Sequence, residues 1–342
     1  MTRMGIRDIV RLSLLCLLAS LGQAQAGGLT LRLGGDKWPP FTEAEGKPRD
    51  AVNLVESALL RGGLKSEFSI VSWSTVMKQL ETGQLDGAVA MWKTPEREAF
   101  MLFSRPYLEN RLVLVARKGT DVSAASVAAL AGKRLAITGG YAYGDEVTAA
   151  PNVRILRLEN DAECLRAVLD KRADYLLLDE LMVRHLFDEY PDKAQKLIVA
   201  GTVPVVSREL HLALRKSYPR AREILAEFDQ NVDRMVQDGT YNVLLHVPWI
   251  SRDVDGDGEP EYIASTKSTL SSGGDPGATH GGYPLFNPSP ATAPVNHRAP
   301  EYVIDGKSYN NWSDAATTLE RAGGTIPQGA YKYSTGFVLG TF

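Results

Sequence analysis

Gly83-Gln84-Leu85-Asp86-Gly87-Ala88-Val89-Ala90-Met91-Trp92-Lys93-Thr94-Pro95-Glu96-Arg97 is the stretch on which the fold turns. Gly83 stops a helical pattern that starts at Trp73, and Asp86 to Met91 is a short apolar run of strand length. Thr94-Pro95-Glu96 then has the order N-cap, helix-favouring proline, first-turn acid. A helix, an apolar strand and a fresh helix in succession are the unit of an α/β architecture with mainly parallel sheets.

The same alternation runs outward in both directions. Upstream, Leu29 to Leu33 reads as a first strand, Pro48 to Arg61 as a helix ended by Gly62-Gly63, and Phe68 to Val71 as a strand. Downstream, Arg111 to Arg117 is a strong strand. A second series follows it: strands at 134–138, 153–156 and 175–178, helices after Tyr141, from Asp161 to Lys171 and to Tyr190, then a last strand at 210–214 and helices to His246. Two strands, near 111–117 and 209–215, thus carry the chain into and out of a second lobe. This predicts lobe 1 from residues 27–112 and 213–250, lobe 2 from 113–212, and a cleft between them.

The ends of the chain read differently. Arg3, Arg7 and Arg11 precede the apolar run Leu12 to Leu21, and Ala24-Gln25-Ala26 completes the pattern of a cleaved signal peptide over 1–26. The run of about ten residues is short of the roughly twenty a spanning helix needs. Leu15 before Cys16 argues against a lipoprotein. The expectation is a protein exported to the periplasm, and a monomer. Its formal charge of −3 becomes −5 on loss of the signal segment, which argues against nucleic acid as a partner. Cys164 is then the only cysteine, on an apolar helical stripe, so a buried inert thiol is expected.

After Trp249 come an Asp-rich loop at 251–264, a Gly/Ser/Pro-rich linker at 265–300 and a small module at 301–342. The module reads as a hairpin turning at Asp305-Gly306, a helix over 314–322 capped by Ser313, and a strand over 331–342. About 40 residues are marginal alone, so it should dock elsewhere. Asp253, Asp255 and Asp257 alternate as at the start of an EF-hand-like calcium loop. The Glu of a full EF-hand is absent, Ala264 standing in its place, and Glu261 is the candidate closing ligand. A structural Ca²⁺ is therefore a candidate metal, and no cofactor is required for function.

Several landmarks carry a resemblance: Trp38-Pro39-Pro40-Phe41, Ser72-Trp73, Gly83-Gln84-Leu85-Asp86, Thr94-Pro95-Glu96-Arg97, Phe103-Ser104-Arg105-Pro106-Tyr107, and Asp174 followed by Asp179. In this order, over about residues 29–250, the chain resembles the bacterial extracellular solute-binding proteins of family 3, which deliver polar amino acids to ABC importers. The resemblance implies a type II periplasmic binding-protein fold, with two α/β lobes closing on an amino-acid-like ligand, and an importer permease as partner. It also implies that Arg97 holds the ligand α-carboxylate, through the planar fork a guanidinium offers to two oxygens. Asp179 would take the ammonium; Trp38 would cover the ligand side chain; Thr94 would line the site; and the backbone at Gly140 and Tyr141 would meet the carboxylate. Trp92 departs from the pattern: an indole where small or hydroxyl residues are usual narrows or reshapes the pocket.

Other readings are weaker. Gly139 to Gly144 has the glycine spacing of a P-loop, but Asp145-Glu146 would repel phosphate. No Gly-x-Ser-x-Gly elbow or His pair at metal spacing occurs, so an enzyme is disfavoured. A sensor signalling to a membrane partner through the C-terminal module is the alternative to uptake.

Overall fold

The computed structural model describes residues 30–254, 259–268, 275–279, 283–285 and 301–322. The expected signal segment, Asp255, Asp257, most of the expected linker and the strand expected at 331–342 lie outside the described residues.

In chain order, strand β1 (Thr30–Gly35) leads to helix α1 (Asp50–Arg61), β2 (Lys65–Ile70), α2 (Trp73–Thr82), β3 (Gly87–Trp92), the short α3 (Pro95–Glu98) and β4 (Met101–Phe103). The long β5 (Leu108–Arg117) opens the second series: β6 (Arg134–Thr138), β7 (Arg154–Leu158), α4 (Asp161–Leu169), β8 (Tyr175–Asp179), α5 (Glu180–Glu189) and β9 (Ile198–Ala200). The equally long β10 (Val206–Arg215) returns to α6 (Ala221–Gln237) and α7 (Thr240–Leu245).

The main sheet has the order β2-β1-β3-β10-β5-β8-β6-β7. Two three-stranded parallel sets, β2-β1-β3 and β8-β6-β7, flank an antiparallel pair of long strands. Those strands share their length between the lobes. Leu108 to Leu112 of β5 face Leu210 to Val206 of β10, while Leu112 to Ala116 pair with Asp179 to Tyr175 of β8. Further along, β10 runs from Leu210 to Leu214 against Trp92 to Gly87 of β3. The two long strands thus join the two parallel sets within one sheet, at the place expected for the hinge.

All six residues of β3 are buried, as a parallel strand covered on both faces requires. Gly87 is required by close approach, since a Cβ there would sit 2.3 Å from the Ala213 carbonyl. Helix α1 buries Ala51, Val52, Leu54, Val55, Ala58 and Leu59 on one stripe, packed against α6. Cys164 is buried in α4 and its thiol is pushed up to about 12 by that burial, so it is inert as expected.

A second sheet, in the order β13-β11-β12-β14-β15, is built from β11 (Ile250–Arg252), β12 (Glu261–Ala264), β13 (Tyr283–Pro284), β14 (Tyr302–Ile304) and β15 (Lys307–Tyr309). The hairpin turns at Asp305-Gly306, whose φ values of 48° and 82° are those of a primed turn. Helix α8 (Trp312–Arg321) follows, and Asn311, not Ser313, caps it by accepting from the Asp314 amide at 2.9 Å. Part of the stretch read as linker is thus structured: Tyr283 donates its hydroxyl to the Glu109 carbonyl in the hinge strand. A two-residue strand carries no periodicity, which is why composition hid it. The module docks on lobe 1 through Asn242, which donates to the Ile263 carbonyl at 2.9 Å, and through the Arg252–Asp233 ion pair at 2.8 Å. Trp249, Tyr302 and Trp312 form its small aromatic core.

Candidate functional site

The carboxyl ends of the parallel strands of both lobes converge on one cleft, the usual place for a ligand in such sheets. From lobe 1 come Asp36 after β1, Trp38 in the tight turn closed by Trp38 N–H to the Thr42 carbonyl (2.8 Å), Trp73 at the start of α2, and Trp92 with Arg97 after β3. From lobe 2 come Gly140, Tyr141 and Tyr143 after β6.

Thr94 caps α3, its Oγ1 accepting from the Arg97 amide at 3.3 Å, and this turn aims Arg97 inward. Arg97 is only 8 % exposed. Its Nη1 donates to the Trp92 carbonyl at 2.6 Å, its Nη2 donates to the Gly140 carbonyl at 3.3 Å, and its guanidinium lies 5.1 Å from the Trp73 ring centre. No carboxylate pairs with it among the described residues. Burial lowers the guanidinium to about 10, against a smaller attraction from the neighbouring Glu96.

Around Arg97 stands an aromatic cage. Trp92 meets Trp38, Tyr141 and Tyr143 edge-on at 6.0, 5.5 and 5.4 Å, and Tyr141 also meets Trp38 and Trp73. The space left inside is about 20 Å³, room for a single water-sized molecule. Two hydrogen bonds cross the cleft: Arg97 to Gly140, and the Tyr141 hydroxyl to Asp36 Oδ2 at 2.8 Å. Gly140 has φ 79°, a conformation that disfavours a side chain, and a Cβ would meet Trp73 at 3.4 Å.

Of the residues singled out in the sequence, the structure brings Arg97, Trp38, Trp92, Gly140, Tyr141 and, through its cap, Thr94 together. Asp179 it places elsewhere. Its Oδ1 accepts from the Leu181 amide at 2.7 Å as the N-cap of α5, and its Oδ2 accepts from Asn110 at 3.1 Å. Asn110 in turn accepts from the Trp92 indole at 2.7 Å. Asp179 is 1 % exposed, and burial pushes its carboxyl up to about 7, so it lies behind the cage wall rather than in it.

Asp36, Trp73 and Asp161 were not among the candidates. Asp36 and Trp73 line the Arg97 cavity and also a second, larger chamber of about 510 Å³ between the lobes. Glu159, Asn160, Asp161 and Met182 complete the larger chamber from lobe 2. Asp36 was within reach of sequence reasoning, because it stands at the carboxyl end of a strand as Asp179 does.

In the Asp-rich loop, Asp253 and Glu261 are buried and the Val254 amide donates to Glu261 Oε2 at 2.6 Å. Among the described residues no three His, Cys, Asp or Glu side chains gather as a metal site, and Asp255 and Asp257 lie outside them. No helix among the described residues is long and apolar enough to cross a membrane.

Comparison with known proteins agrees with this architecture. The chain is 27 % identical over 223 residues to the ABC transporter glutamine-binding protein GlnH of Bacillus subtilis, covering 65 % of this chain and 78 % of that one. It is 27 % identical over 170 residues to the virulence sensor protein BvgS of Bordetella pertussis, covering 48 % of this chain but 13 % of the sensor. Among solved structures, an ancestral arginine-binding protein bound to arginine superposes with a TM-score of 0.54 at 25 % identity, covering 63 % of this chain and 96 % of that one. The two-lobed type II binding-protein fold expected from the sequence is thereby shown. The profile of one family matches residues 31–250, and the chain belongs to that family, the bacterial extracellular solute-binding proteins, family 3.

Proposed function

We propose that this solute-binding protein captures a small carboxylate-bearing ligand, an amino acid or a close relative, in the periplasm and hands it to an ABC importer. The observation that carries the reading is Arg97: a guanidinium buried between the lobes, held by two carbonyls and a ring, with no carboxylate in ion-pair contact among the described residues. A ligand carboxylate would complete its fork and supply the missing charge. The glutamine-binding and arginine-binding relatives support an amino acid as the ligand class. Binding requires the cage to open, since the ligand carboxylate must replace the Gly140 carbonyl.

Calorimetry on Arg97→Ala tests this. Truncating one partner of a buried charge pair costs about 2–5 kcal/mol, so affinity should fall by at least tens of fold in a folded variant. Unchanged affinity would remove the carboxylate clamp.

A second reading, a binding protein that reports occupancy to a membrane partner, is favoured by the contact of Tyr283 with the hinge strand and by the similarity to a sensor protein. We also propose that Asp253, Asp255, Asp257 and Glu261 hold a structural calcium ion, supported by the ends of the loop meeting at Val254 and Glu261.

A further inference from the structure

The C-terminal module has its own aromatic core around Trp249, Tyr302 and Trp312, but Tyr283 is not part of it. Tyr283 belongs to the main core of the lobes, 7 % exposed, and Leu285 packs against that same core. Strand β13, which carries Tyr283, is held to β11 by the Tyr283 amide on the Trp249 carbonyl at 2.8 Å and the Leu285 amide on the Ser251 carbonyl at 2.9 Å. The module thus sends one aromatic side chain out of its own sheet and into the lobes.

What Tyr283 meets there is the long strand β5, at the place where that strand lacks a neighbour. β5 pairs with β10 over Leu108 to Leu112 on one side, and with β8 on the other side only from Leu112 onward. Among the described residues no strand covers Leu108 to Arg111 on the β8 side. Carbonyls covered on such an edge need donors from elsewhere. Two tyrosine hydroxyls supply them: Tyr241, from α7 of lobe 1, donates to the Tyr107 carbonyl at 2.5 Å, and Tyr283 donates to the Glu109 carbonyl. Leu285 lines a small cavity with Arg105, Pro106 and Tyr107, so β13 follows the chain into β5 from Arg105 to Glu109. Burial raises the Tyr283 phenol well above its usual range, and the charges of Asp179 and Glu180, where β8 passes into α5, add to it. The hydroxyl is therefore a donor at neutral pH, beside the corner where lobe 2 meets β5.

The residue after Glu109 reaches both lobes. Asn110 is fully buried; its amide donates to Asp179 Oδ2 in lobe 2 at 3.1 Å, and its oxygen accepts from the Trp92 indole in lobe 1 at 2.7 Å. Consecutive residues of one strand therefore tie the module and the two lobes together, while the lobes are joined across the cleft by Tyr141 and Arg97. Tyr283 is anchored on the lobe 1 side, through β11, Asn242 and Arg252. A change of lobe angle that moves β5 at Glu109 strains or breaks the Tyr283 bond.

We propose that the C-terminal module is a brace on the hinge: Tyr283 grips β5 when the lobes are together, so that docking of the module holds the cleft closed and closing of the cleft tightens the module. Such a coupling is reciprocal by thermodynamic necessity. It requires no particular ligand, and it holds for uptake and for sensing alike.

The test reads the open population of the ligand-free, full-length protein through a thiol that only opening uncovers. Ala90 lines the Arg97 cavity and is 8 % exposed, so in Ala90→Cys the new thiol reacts with a maleimide at a rate set by how often the cleft opens. The parent protein, whose Cys164 is buried with its thiol held near 12, gives the background. Adding Tyr283→Phe removes one hydrogen bond and should speed the reaction by roughly two- to tenfold. Tyr302→Phe is the control: it removes the hydroxyl that donates to Asp275 at 2.5 Å, away from β5, and should leave the rate unchanged. Should Tyr283→Phe not fold, Leu285→Ala, which loosens β13 beside Arg105 to Tyr107 and keeps the hydroxyl, is read in its place and should also speed the reaction. An unchanged or slower rate in the variant read, or an equal rise in Tyr302→Phe, overturns the proposal.

Discussion

Asp161 sits in the first turn of α4 with the Thr138 hydroxyl on one oxygen and the Asp36 carboxylate as a neighbour, and burial pushes its carboxyl up to about 7. Desolvation is the larger cause, with Asp36 adding to it. In the unfolded chain the same group titrates near 3.8. Between those values the folded protein binds more protons than the unfolded chain, so stability falls as pH rises from about 4 through about 7. Asp161→Asn removes that contribution. Chemical denaturation at pH 5 and pH 8 should therefore show a wild-type loss exceeding the variant's by about 2–3 kcal/mol, at roughly 1.4 kcal/mol per unit of pKa. Asp179, also held near 7, contributes to both proteins alike, and Asp36, raised chiefly by its own burial, enters the difference only through its coupling to Asp161. Parallel profiles would mean that Asp161 is solvated through the chamber. Site residues differ in legibility for a related reason. Arg97 stands three residues after its cap, Thr94, a local relation that sequence displays. Asp179 is occupied by Asn110, 69 residues away, and only the pairing of β5 with β8 makes them neighbours.

At the level of elements, strands, helix stops and turns that depend on nearby residues were readable, the cap of α8 excepted, and those that depend on partners were not. The apolar run of β3, the Gly83 stop with φ 78° and the Asp305-Gly306 turn each declare themselves within a few residues. The strand at Tyr283 exists because β11 pairs with it and the Glu109 carbonyl accepts its hydroxyl, facts with no local signature. The loop joining β11 to β12 carries its alternating acids in the sequence, with Asp255 and Asp257 outside the described residues. If calcium binds there, it binds only where Asp253 and Glu261 are brought together by the hairpin, so it should stabilise the folded form by mass action. At calcium a hundredfold above its dissociation constant the gain is about 2.7 kcal/mol. A chelator-stripped sample should thus melt several degrees higher in calcium than in EDTA. Asp253→Asn should narrow that gap, and equal melting temperatures would reduce the loop to an acidic turn.

For the whole molecule, the arrangement of lobes rests on few polar contacts across the cleft. The Tyr141 hydroxyl reaches Asp36 from lobe 2 to lobe 1, and Arg97 reaches Gly140 in the other direction. A hydrogen bond to a charged group is worth about 1.5–3 kcal/mol net, which is enough to set the balance between an open and a closed hinge. Tyr141→Phe keeps the ring against Trp38, Trp73 and Trp92 and removes only the hydroxyl. The open population of the ligand-free protein should then rise by roughly tenfold or more, at 1.4 kcal/mol per factor of ten. Exposed positions on each lobe allow this to be read: Leu60 on α1 is 65 % exposed and Val203, before β10, is 53 % exposed. Cys164 is buried with its thiol held near 12, so labels on Leu60→Cys and Val203→Cys would leave it untouched. Distance distributions between the two labels should be dominated by the short separation in the parent protein and gain a longer one in Tyr141→Phe. A distribution that does not change would place the closing force in the aromatic cage, where packing of five large rings acts without the hydroxyl, and Trp92→Ala rather than Tyr141→Phe would then open the cleft.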